Sequence, residues 1–329
     1  MSVRPQRPRI ALTLGDPAGI GPEICCAAAA DAEVQRALSL VLVGPARCRP
    51  SSIPRVDTLE SLPADAPAVW LETRAPGTWE LGRVQLESGR AALAALREGH
   101  ELARRRVVDA LVTAPVSKEA LHLAGERVEG QTELLGRWCG VERYEMLAVA
   151  GELRVMLLTR HMPLRAALDL VTQERVVDRL RLLDASLRSL GIAAPRIALA
   201  GLNPHAGENG LLGREDQDIL RPAVEFVCAS GVDVRGPVSP DTVFLHASQG
   251  RYDGVLALYH DQAFIPVKLL SHDGGVTVIA GLPYLRVSPV HGTAFDIAGR
   301  GVARHENLVS AIMQAARWSA LRGASDAVP

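Results

Sequence analysis

The sequence predicts an α/β fold with two domains, and three observations support that prediction. The chain has 329 residues, whereas a single hydrophobic core stops growing at roughly 250 to 300 residues. Hydrophobic residues make up 48% of the chain and aromatic residues only 4%, a composition typical of strands buried on both faces by alanine-rich helices. Short apolar segments alternate with longer helical ones, which indicates βαβ units and a mostly parallel sheet.

The alternation can be followed along the chain. The predicted strands are RIALTL, LVLVG, VDALVTA, RVMLLT, RIALAGL and GVLALY. Longer segments rich in Ala, Leu and Arg lie among them, such as SGRAALAALREGHELARRR and VVDRLRLLDASLRSLG. No long polar linker separates two consecutive domains, so we expect either a tight boundary or a chain that crosses between the domains more than once.

Charge and cysteine content exclude several classes of protein. Lys and Arg number 36 and Asp and Glu 37, so nucleic acid and acidic membrane surfaces are not expected partners. The five cysteines include no Cys-x-x-Cys pair, which argues against a disulfide framework or a thiolate zinc site. No apolar run is long enough for a signal peptide or a membrane span of about 20 residues. We therefore expect a soluble cytoplasmic protein.

The first predicted strand runs into a glycine loop, GDPAGIGPE, at residues 15–23. Pro22 lies near the predicted first helical position and Glu23 in the first turn, as is common where a helix begins. The glycine spacing matches neither the G-x-G-x-x-G nor the P-loop pattern. The loop is either a ligand-binding element or a strand-to-helix turn that needs a flexible backbone.

Three histidines share one placement. His161, His205 and His260 each lie at or just beyond the carboxyl end of a predicted buried strand, the edge of an open α/β sheet where ligands collect. Imidazole is a common ligand of zinc and other divalent metals, and three protein ligands with an open position form a catalytic metal site. The histidines are far apart in sequence, so only the fold could bring them together; a structural role for each is the alternative.

Other polar residues have two interpretations each. Asp261 either orients His260 through a hydrogen bond or caps the helix that follows. Thr132, which follows Gln131, is either an N-cap or a ligand contact, and Lys118 lies at the start of a helix beyond a strand end. Arg286 suits carboxylate or phosphate recognition, because its fork donates two parallel hydrogen bonds. The alternative for Arg286 is a surface cation with a buried stem.

Two further features suggest ligand contacts. Lys268 is a cation in apolar surroundings. The segment SPVHGTAFDIAGRG, residues 288–301, crowds three glycines around His291 and Asp296. Close approach of the backbone to a ligand is a physical reason for such a segment.

Six motifs, taken in order, resemble the PdxA family, the 4-hydroxythreonine-4-phosphate dehydrogenases of vitamin B6 (pyridoxine) synthesis. They are GDPAGIGPE, TAPVSKEAL, GQTELL, LNPHAGENG, YHDQ and GLPYLRVSPVHGTAFDIAGRG. The first motif and part of the last also resemble isocitrate and isopropylmalate dehydrogenases, which bind NAD without a G-x-G-x-x-G loop. The resemblance implies two α/β/α domains of that type with the active-site cleft between them. Residues 1–100 and 245–329 would bind the nicotinamide cofactor, and residues 101–244 would serve metal binding, substrate binding and dimerisation.

The resemblance also implies roles for individual residues. A divalent metal (Zn, Mg or Co) would be held in a site completed across a homodimer interface by His161, His205 and His260. Substrate contacts would come from Gln131, Thr132, Lys268, Thr277 and Arg286. NAD or NADP would be bound by Gly15, His291, Gly292, Thr293 and Asp296. The resemblance does not fix the catalytic base, for which Asp261 and Lys118 are the two candidates.

The expected reaction follows from the same resemblance. The metal would polarise the hydroxyl of 4-phosphohydroxy-L-threonine, hydride would pass to NAD(P), and the 3-oxo acid would lose carbon dioxide to give 3-amino-2-oxopropyl phosphate. The family usually has His at position 131 and Asn at position 277, where this chain has Gln131 and Thr277. A paralogue that oxidises a four-carbon phosphorylated sugar acid or an aromatic dihydrodiol carboxylate is therefore the alternative. A metal hydrolase would leave residues 288–301 without a role, and the three histidines argue against a non-catalytic binding protein.

Overall fold

The computed structural model describes residues 7–57, 66–75, 77–271 and 274–325, with side chains up to residue 321. Its contacts divide the chain into two units. The first unit comprises Met1–Gly140 and Leu282–Pro329, and the second comprises Val141–Gly281. The first unit is thus built from two separate segments of the chain.

The described strands are, in chain order, β1 (Arg9–Thr13), β2 (Ser39–Pro45), β3 (Arg55–Val56), β4 (Ala68–Thr73), β5 (Ala110–Thr113), β6 (Glu145–Ala150), β7 (Leu153–Leu157), β8 (Ile197–Ala200), β9 (Val234–Val238), β10 (Gly254–Ala257), β11 (Val276–Ala280) and β12 (Leu285–Pro289). In the first unit the strand order is β3-β4-β2-β1-β5-β12, and all the pairings are parallel. In the second unit the order is β11-β6-β7-β10-β8-β9. There β6 is antiparallel to both β11 and β7, while β7, β10, β8 and β9 pair in parallel.

The described α-helices are α1 (Gly21–Ala30), α2 (Ala32–Ala37), α3 (Leu86–Arg104), α4 (Lys118–Leu123), α5 (Gln131–Cys139), α6 (Leu164–Asp169), α7 (Gln173–Ser189), α8 (Arg221–Cys228), α9 (Val243–Ser248), α10 (His260–Leu270) and α11 (Glu306–Ser325). Every predicted strand and helix quoted above has its counterpart among these elements, and the α/β prediction is confirmed. In the part of the chain that the structure describes, no helix has the length and apolarity needed to cross a membrane.

Continuous burial explains why the strands form parallel sheets. Every residue of β2 and of β5 is buried, as expected for strands covered on both faces. Helix α3 packs on β1 and β2 through small residues: a Cβ at Gly99 would lie 2.6 Å from Thr13 Cγ2. The alanine-rich composition therefore lets helices lie close to the sheet.

The unit boundaries differ from those expected from the sequence. The expected boundaries lie at 100/101 and 244/245, whereas the contacts place them at 140/141 and 281/282. The reason is strand pairing: β5 joins β1 in the first unit, and β10 and β11 join β7 and β6 in the second. His260, expected in the cofactor-binding domain, consequently lies in the same unit as His161 and His205.

The burial of β1 in the core of the first unit predicts how one substitution changes the stability of the protein. Leu12 in β1 is fully buried, whereas Leu123 at the end of α4 is 52% exposed. Leu12→Ala should lower the free energy of unfolding by about 2 to 5 kcal/mol through lost burial and a residual cavity. Leu123→Ala should change it by less than about 1 kcal/mol. Chemical denaturation followed by circular dichroism measures both, and equal losses would contradict the placement of β1 in the core.

Candidate active site

Two of the three predicted histidines lie side by side. His161 follows β7, and His260 is the first residue of α10, directly beyond β10. The two strands are parallel neighbours, with Leu157 paired to Ala257. Their carboxyl ends therefore meet at one edge, and the two imidazole centroids are 5.1 Å apart.

A cavity of about 200 Å³ opens at this histidine pair. Besides the two histidines it is lined by Arg160, Met162, Leu164, Ala167, Tyr259 and Asp261. Polar groups thus lie together on a partly apolar wall, as in small-molecule sites.

Asp261 orients the His260 ring. Its Oδ1 lies 2.7 Å from His260 Nδ1. Since an ionised carboxylate can only accept, Nδ1 donates this hydrogen bond, and in the neutral ring Nε2 is then the atom with a lone pair for a metal. Tyr259 occupies the N-cap position, so Asp261 is not the helix cap. Phe264, one turn further along α10, stacks on the His260 ring at 4.6 Å and holds it from its face.

His205 lies on an unusual turn after β8. Six successive residues, His205 to Gly210, have positive φ, a left-handed backbone that costs energy in residues other than glycine. Asp216 supports the turn: its carboxylate accepts from the backbone N–H groups of Leu202 and Asn203 and from Asn203 Nδ2. Asp216 was not among the predicted site residues, because its partners are more than ten residues away in sequence.

The three predicted metal ligands are only partly grouped within this chain. His161 and His260 supply two imidazoles, and the Asp261 bond gives His260 the tautomer that a metal requires. Among the described residues of this one chain, no three His, Cys, Asp or Glu side chains are grouped to hold a metal ion. The structure therefore brings together two of the predicted ligands and does not group His205 with them.

The glycine loop at residues 15–23 packs against the segment 288–301. Gly15 has φ +69°, and a Cβ there would lie 2.2 Å from the Pro115 carbonyl oxygen. A Cβ at Gly19 would lie 2.7 Å from the Thr293 carbonyl oxygen, which also accepts a hydrogen bond from Ile20 N. The need for a flexible, closely packed backbone accounts for these two glycines.

Asp16, in the same loop, is a buried carboxyl that was not among the predicted site residues. Its Oδ1 accepts a hydrogen bond from Ala18 N, which shapes the loop. Burial raises the pKa of Asp16 above its ordinary value, against hydrogen bonds that lower it.

The segment 288–301 presents polar atoms whose hydrogen-bonding capacity is unmet. His291 Nδ1 lies 3.1 Å from the Gly292 carbonyl oxygen and donates to it, while His291 Nε2 is buried without a partner. Glu23 Oε2 accepts from Gly301 N, and its Oε1 is likewise buried and unpaired. Asp296 is exposed. Buried acceptors that lack donors fit a ligand rich in hydroxyl and amide groups, such as a dinucleotide.

A second group of unpaired atoms lies at the end of β5. Arg286 is 4% exposed, its Nη2 donates to Thr113 Oγ1 at 2.7 Å, and its Nε has no partner. Burial lowers the pKa of Arg286 to about 10, so the guanidinium stays cationic at neutral pH. Gln131 Nε2 donates to the Ala114 carbonyl oxygen at 3.2 Å, and its Oε1 is buried without a partner. Arg286 is thus not a surface cation, and both side chains suit contact with a ligand.

The remaining predicted substrate residues fall into two groups. Thr132 and Thr277 are buried, at 6% and 7% exposure. Gly130 is the N-cap of α5, so Thr132 is not the cap. Lys268, in the last turn of α10, and Lys118, the first residue of α4, are exposed.

Comparison with known proteins identifies close relatives over nearly the whole chain. A family model described as pyridoxal phosphate biosynthetic protein PdxA matches residues 25–315. A 4-hydroxythreonine-4-phosphate dehydrogenase of Geobacter metallireducens is 40% identical over 335 residues, covering 98% of this chain and 99% of that protein. A D-threonate 4-phosphate dehydrogenase of Pectobacterium atrosepticum is 42% identical over 321 residues, covering 93% and 98%.

Solved structures show the same likeness. The crystal structure of 4-hydroxythreonine-4-phosphate dehydrogenase from Klebsiella pneumoniae is 40% identical, with a TM-score of 0.86 over 95% of this chain and 99% of that one. Isocitrate dehydrogenase from Methylococcus capsulatus is 15% identical with a TM-score of 0.50, covering 97% and 87%. The latter likeness concerns the fold alone and confirms the isocitrate dehydrogenase type of fold.

The bond between Asp261 and His260 predicts a measurable effect on metal binding. Asp261→Ala frees the His260 ring to rotate and to change tautomer, so the affinity for Zn²⁺ or Co²⁺ should fall about 10- to 100-fold. Titration calorimetry against a competing chelator measures it. Asp169→Ala, which removes an exposed aspartate of α6, is the matched control. Unchanged affinity in Asp261→Ala would contradict the role of the bond.

Proposed function

Because this chain belongs to the PdxA family, whose model matches residues 25–315, we propose that it is a nicotinamide-dependent dehydrogenase of a phosphorylated hydroxy acid. The observation that carries the proposal is the adjacent pair of His161 and His260, with Asp261 fixing the His260 tautomer. The names of the relatives, which are dehydrogenases of such acids, support the same reaction class.

His161 and His260 would hold a divalent metal, and His205 would complete the site from the partner subunit of a homodimer. A metal bound there would act as a Lewis acid on the substrate hydroxyl. Helix α10, which begins at His260, exposes Ile265, Leu269 and Leu270 by 61%, 66% and 50%. Large apolar side chains exposed together mark interaction surfaces, and this surface adjoins the histidine pair on the same helix.

The anionic end of the substrate would be bound by Arg286 and Lys268. Arg286 is cationic at neutral pH and is held by Thr113, so little conformational freedom is lost when it binds an anion. Gln131 Oε1 and the Thr132 hydroxyl would contact the remaining polar groups. Binding energy from the phosphate would position the carbinol carbon for hydride transfer.

The nicotinamide cofactor would lie against the loop at 15–23 and the segment 288–301. His291 Nε2 would accept a hydrogen bond from it, and Gly15, Gly292, Thr293 and Asp296 would shape its surroundings. No protein atom lies within 4 Å of a Cβ built on Gly292, so a ligand could approach the backbone there. Hydride would pass from the carbinol carbon to NAD or NADP, and the 3-oxo acid would then lose carbon dioxide.

The structure bears on the choice of catalytic base. Asp261 already accepts a hydrogen bond from His260, which favours a positioning role. Lys118 lies beside the start of α5: its Cε is 3.9 Å from a Cβ built on Gly130, the residue before Gln131. We therefore assign the removal of the hydroxyl proton to Lys118, whose neutral amine would accept it and become an ammonium.

The proposed substrate is 4-phosphohydroxy-L-threonine, which would make the reaction a step of pyridoxine biosynthesis. D-threonate 4-phosphate is the second candidate, because relatives at 42% identity carry that name and because Gln131 and Thr277 depart from the residues usual in the family. Gln131 Nε2 is engaged by Ala114, so the atom left for substrate is an acceptor, whereas a histidine could also donate.

Removal of the third histidine tests the metal proposal. His205→Ala should abolish binding of divalent metal and lower turnover at least about a hundredfold, the scale on which positioned electrostatic groups act. His246→Ala, in α9 of the same unit, should leave both unchanged. Metal content by mass spectrometry and NADH formation by absorbance are the measurements. Near-normal turnover of His205→Ala in metal-free buffer would contradict the mechanism.

A double substitution tests the substrate assignment. Gln131→His combined with Thr277→Asn restores the residues usual in the family and should raise kcat/KM for 4-phosphohydroxythreonine relative to D-threonate 4-phosphate, by about tenfold if one hydrogen bond is gained. Steady-state kinetics with both acids measure the ratio. An unchanged ratio would mean that these two positions do not set the substrate.

A further inference from the structure

A buried carboxylate at the start of β6 lies among several arginines. Glu145, the first residue of β6, is 1% exposed. Arg160 Nη1 lies 3.5 Å from its Oε1, and Arg179 Nε lies 3.4 Å from its Oε2. Burial raises the pKa of Glu145, while the charges of Arg160, Arg179 and Arg175 lower it. Three guanidinium groups therefore act on one carboxylate.

The wider cluster carries a surplus of positive charge. Asp178 pairs with Arg179 and with Arg143, whose Nε lies 2.5 Å from Asp178 Oδ1. Together the cluster has four arginines, at 143, 160, 175 and 179, and two carboxylates, at 145 and 178. Clustered like charges are costly unless an anion offsets them, so the arrangement is suited to binding one.

Arg160 connects this cluster to the histidine pair. It directly precedes His161 and lines the same cavity of about 200 Å³. Its side chain is 20% exposed, and its guanidinium carbon lies 5.0 Å from the centroid of the Tyr144 ring. Glu145 and Tyr144 thus hold the guanidinium in place, and its five donors allow it to contact Glu145 and an anion together.

We propose that Arg160 binds the carboxylate of the substrate beside His161 and His260. The inference rests on the proposed function, since it assumes that the carbinol of the substrate lies at the histidine pair. Lys268 and Arg286 are already proposed for the phosphate, so the second anionic group of a phosphorylated hydroxy acid is its carboxylate. Arg160 is then a specificity residue, which selects hydroxy carboxylates over phosphorylated alcohols without a carboxylate.

Three variants separate substrate binding from neutralisation of Glu145. Arg160→Gln removes the positive charge, and Arg160→Lys keeps the positive charge but lacks the forked guanidinium. The double variant Glu145→Gln/Arg160→Gln removes the positive charge together with the buried carboxylate that it neutralises. The ligands are 4-phosphohydroxythreonine and D-threonate 4-phosphate, each compared with its own carboxamide, and titration calorimetry with the metal-loaded protein measures their Kd.

We expect Arg160→Gln to weaken binding of the acids at least about tenfold, the loss of one charge-assisted hydrogen-bonded pair. Binding of the carboxamides should change less than about twofold. Arg160→Lys should show an intermediate loss, and the double variant the same loss as Arg160→Gln. Should Arg160→Gln fail to fold, Arg160→Lys and the double variant give the same comparison of acid with carboxamide.

Equal weakening of acid and carboxamide would overturn the proposal. So would wild-type affinity in the double variant, because Arg160 would then serve only to neutralise Glu145. Failure of the proposed function has a different signature: the wild type would form no NADH from either acid, whatever the binding data show. A wild type that bound neither acid would overturn both.

Discussion

The parallel pairing of β7 with β10 is the constraint on which the candidate site depends. Parallel neighbours end at the same edge of a sheet, so residues far apart in sequence are brought together just beyond their last paired positions. His161 and His260 occupy those positions, and their rings lie 5.1 Å apart. Arg160 and Asp261 come to the same cavity because each adjoins one of the histidines. One pairing therefore supplies imidazole, carboxylate and guanidinium groups together.

Near this edge, carboxylates contact the imidazole and guanidinium groups that line the cavity. Asp261 accepts a hydrogen bond from His260 Nδ1, and Glu145 forms an ion pair with Arg160. In each case a carboxylate positions a group that faces the cavity, which reduces the entropy lost when a ligand binds. A second pattern appears in the first unit, where Arg286 Nε, Gln131 Oε1 and His291 Nε2 are buried without partners. Such atoms are expensive in a folded protein unless a ligand satisfies them.

Much of the fold could be predicted from the sequence. Buried parallel strands are continuous apolar runs, and the helices between them are long enough to recognise by periodicity, so the α/β class followed from local pattern alone. The positions of His161 and His260 at strand ends also followed. The boundaries of the two units did not, because they depend on which strands pair: β5 joins β1 and β10 joins β7 across long stretches of chain. Pairing of this kind leaves no local signal.

The sequence by itself determined the fold class, the family motifs and the chemistry available at the strand ends. Only the tertiary structure decided between the two roles of Asp261, since a hydrogen bond and a helix cap need the same residue type at the same place. It also showed that Arg286 is buried and that Arg160 pairs with Glu145. These facts depend on distances between residues that are remote in sequence, and a distance in space is a property of the folded chain.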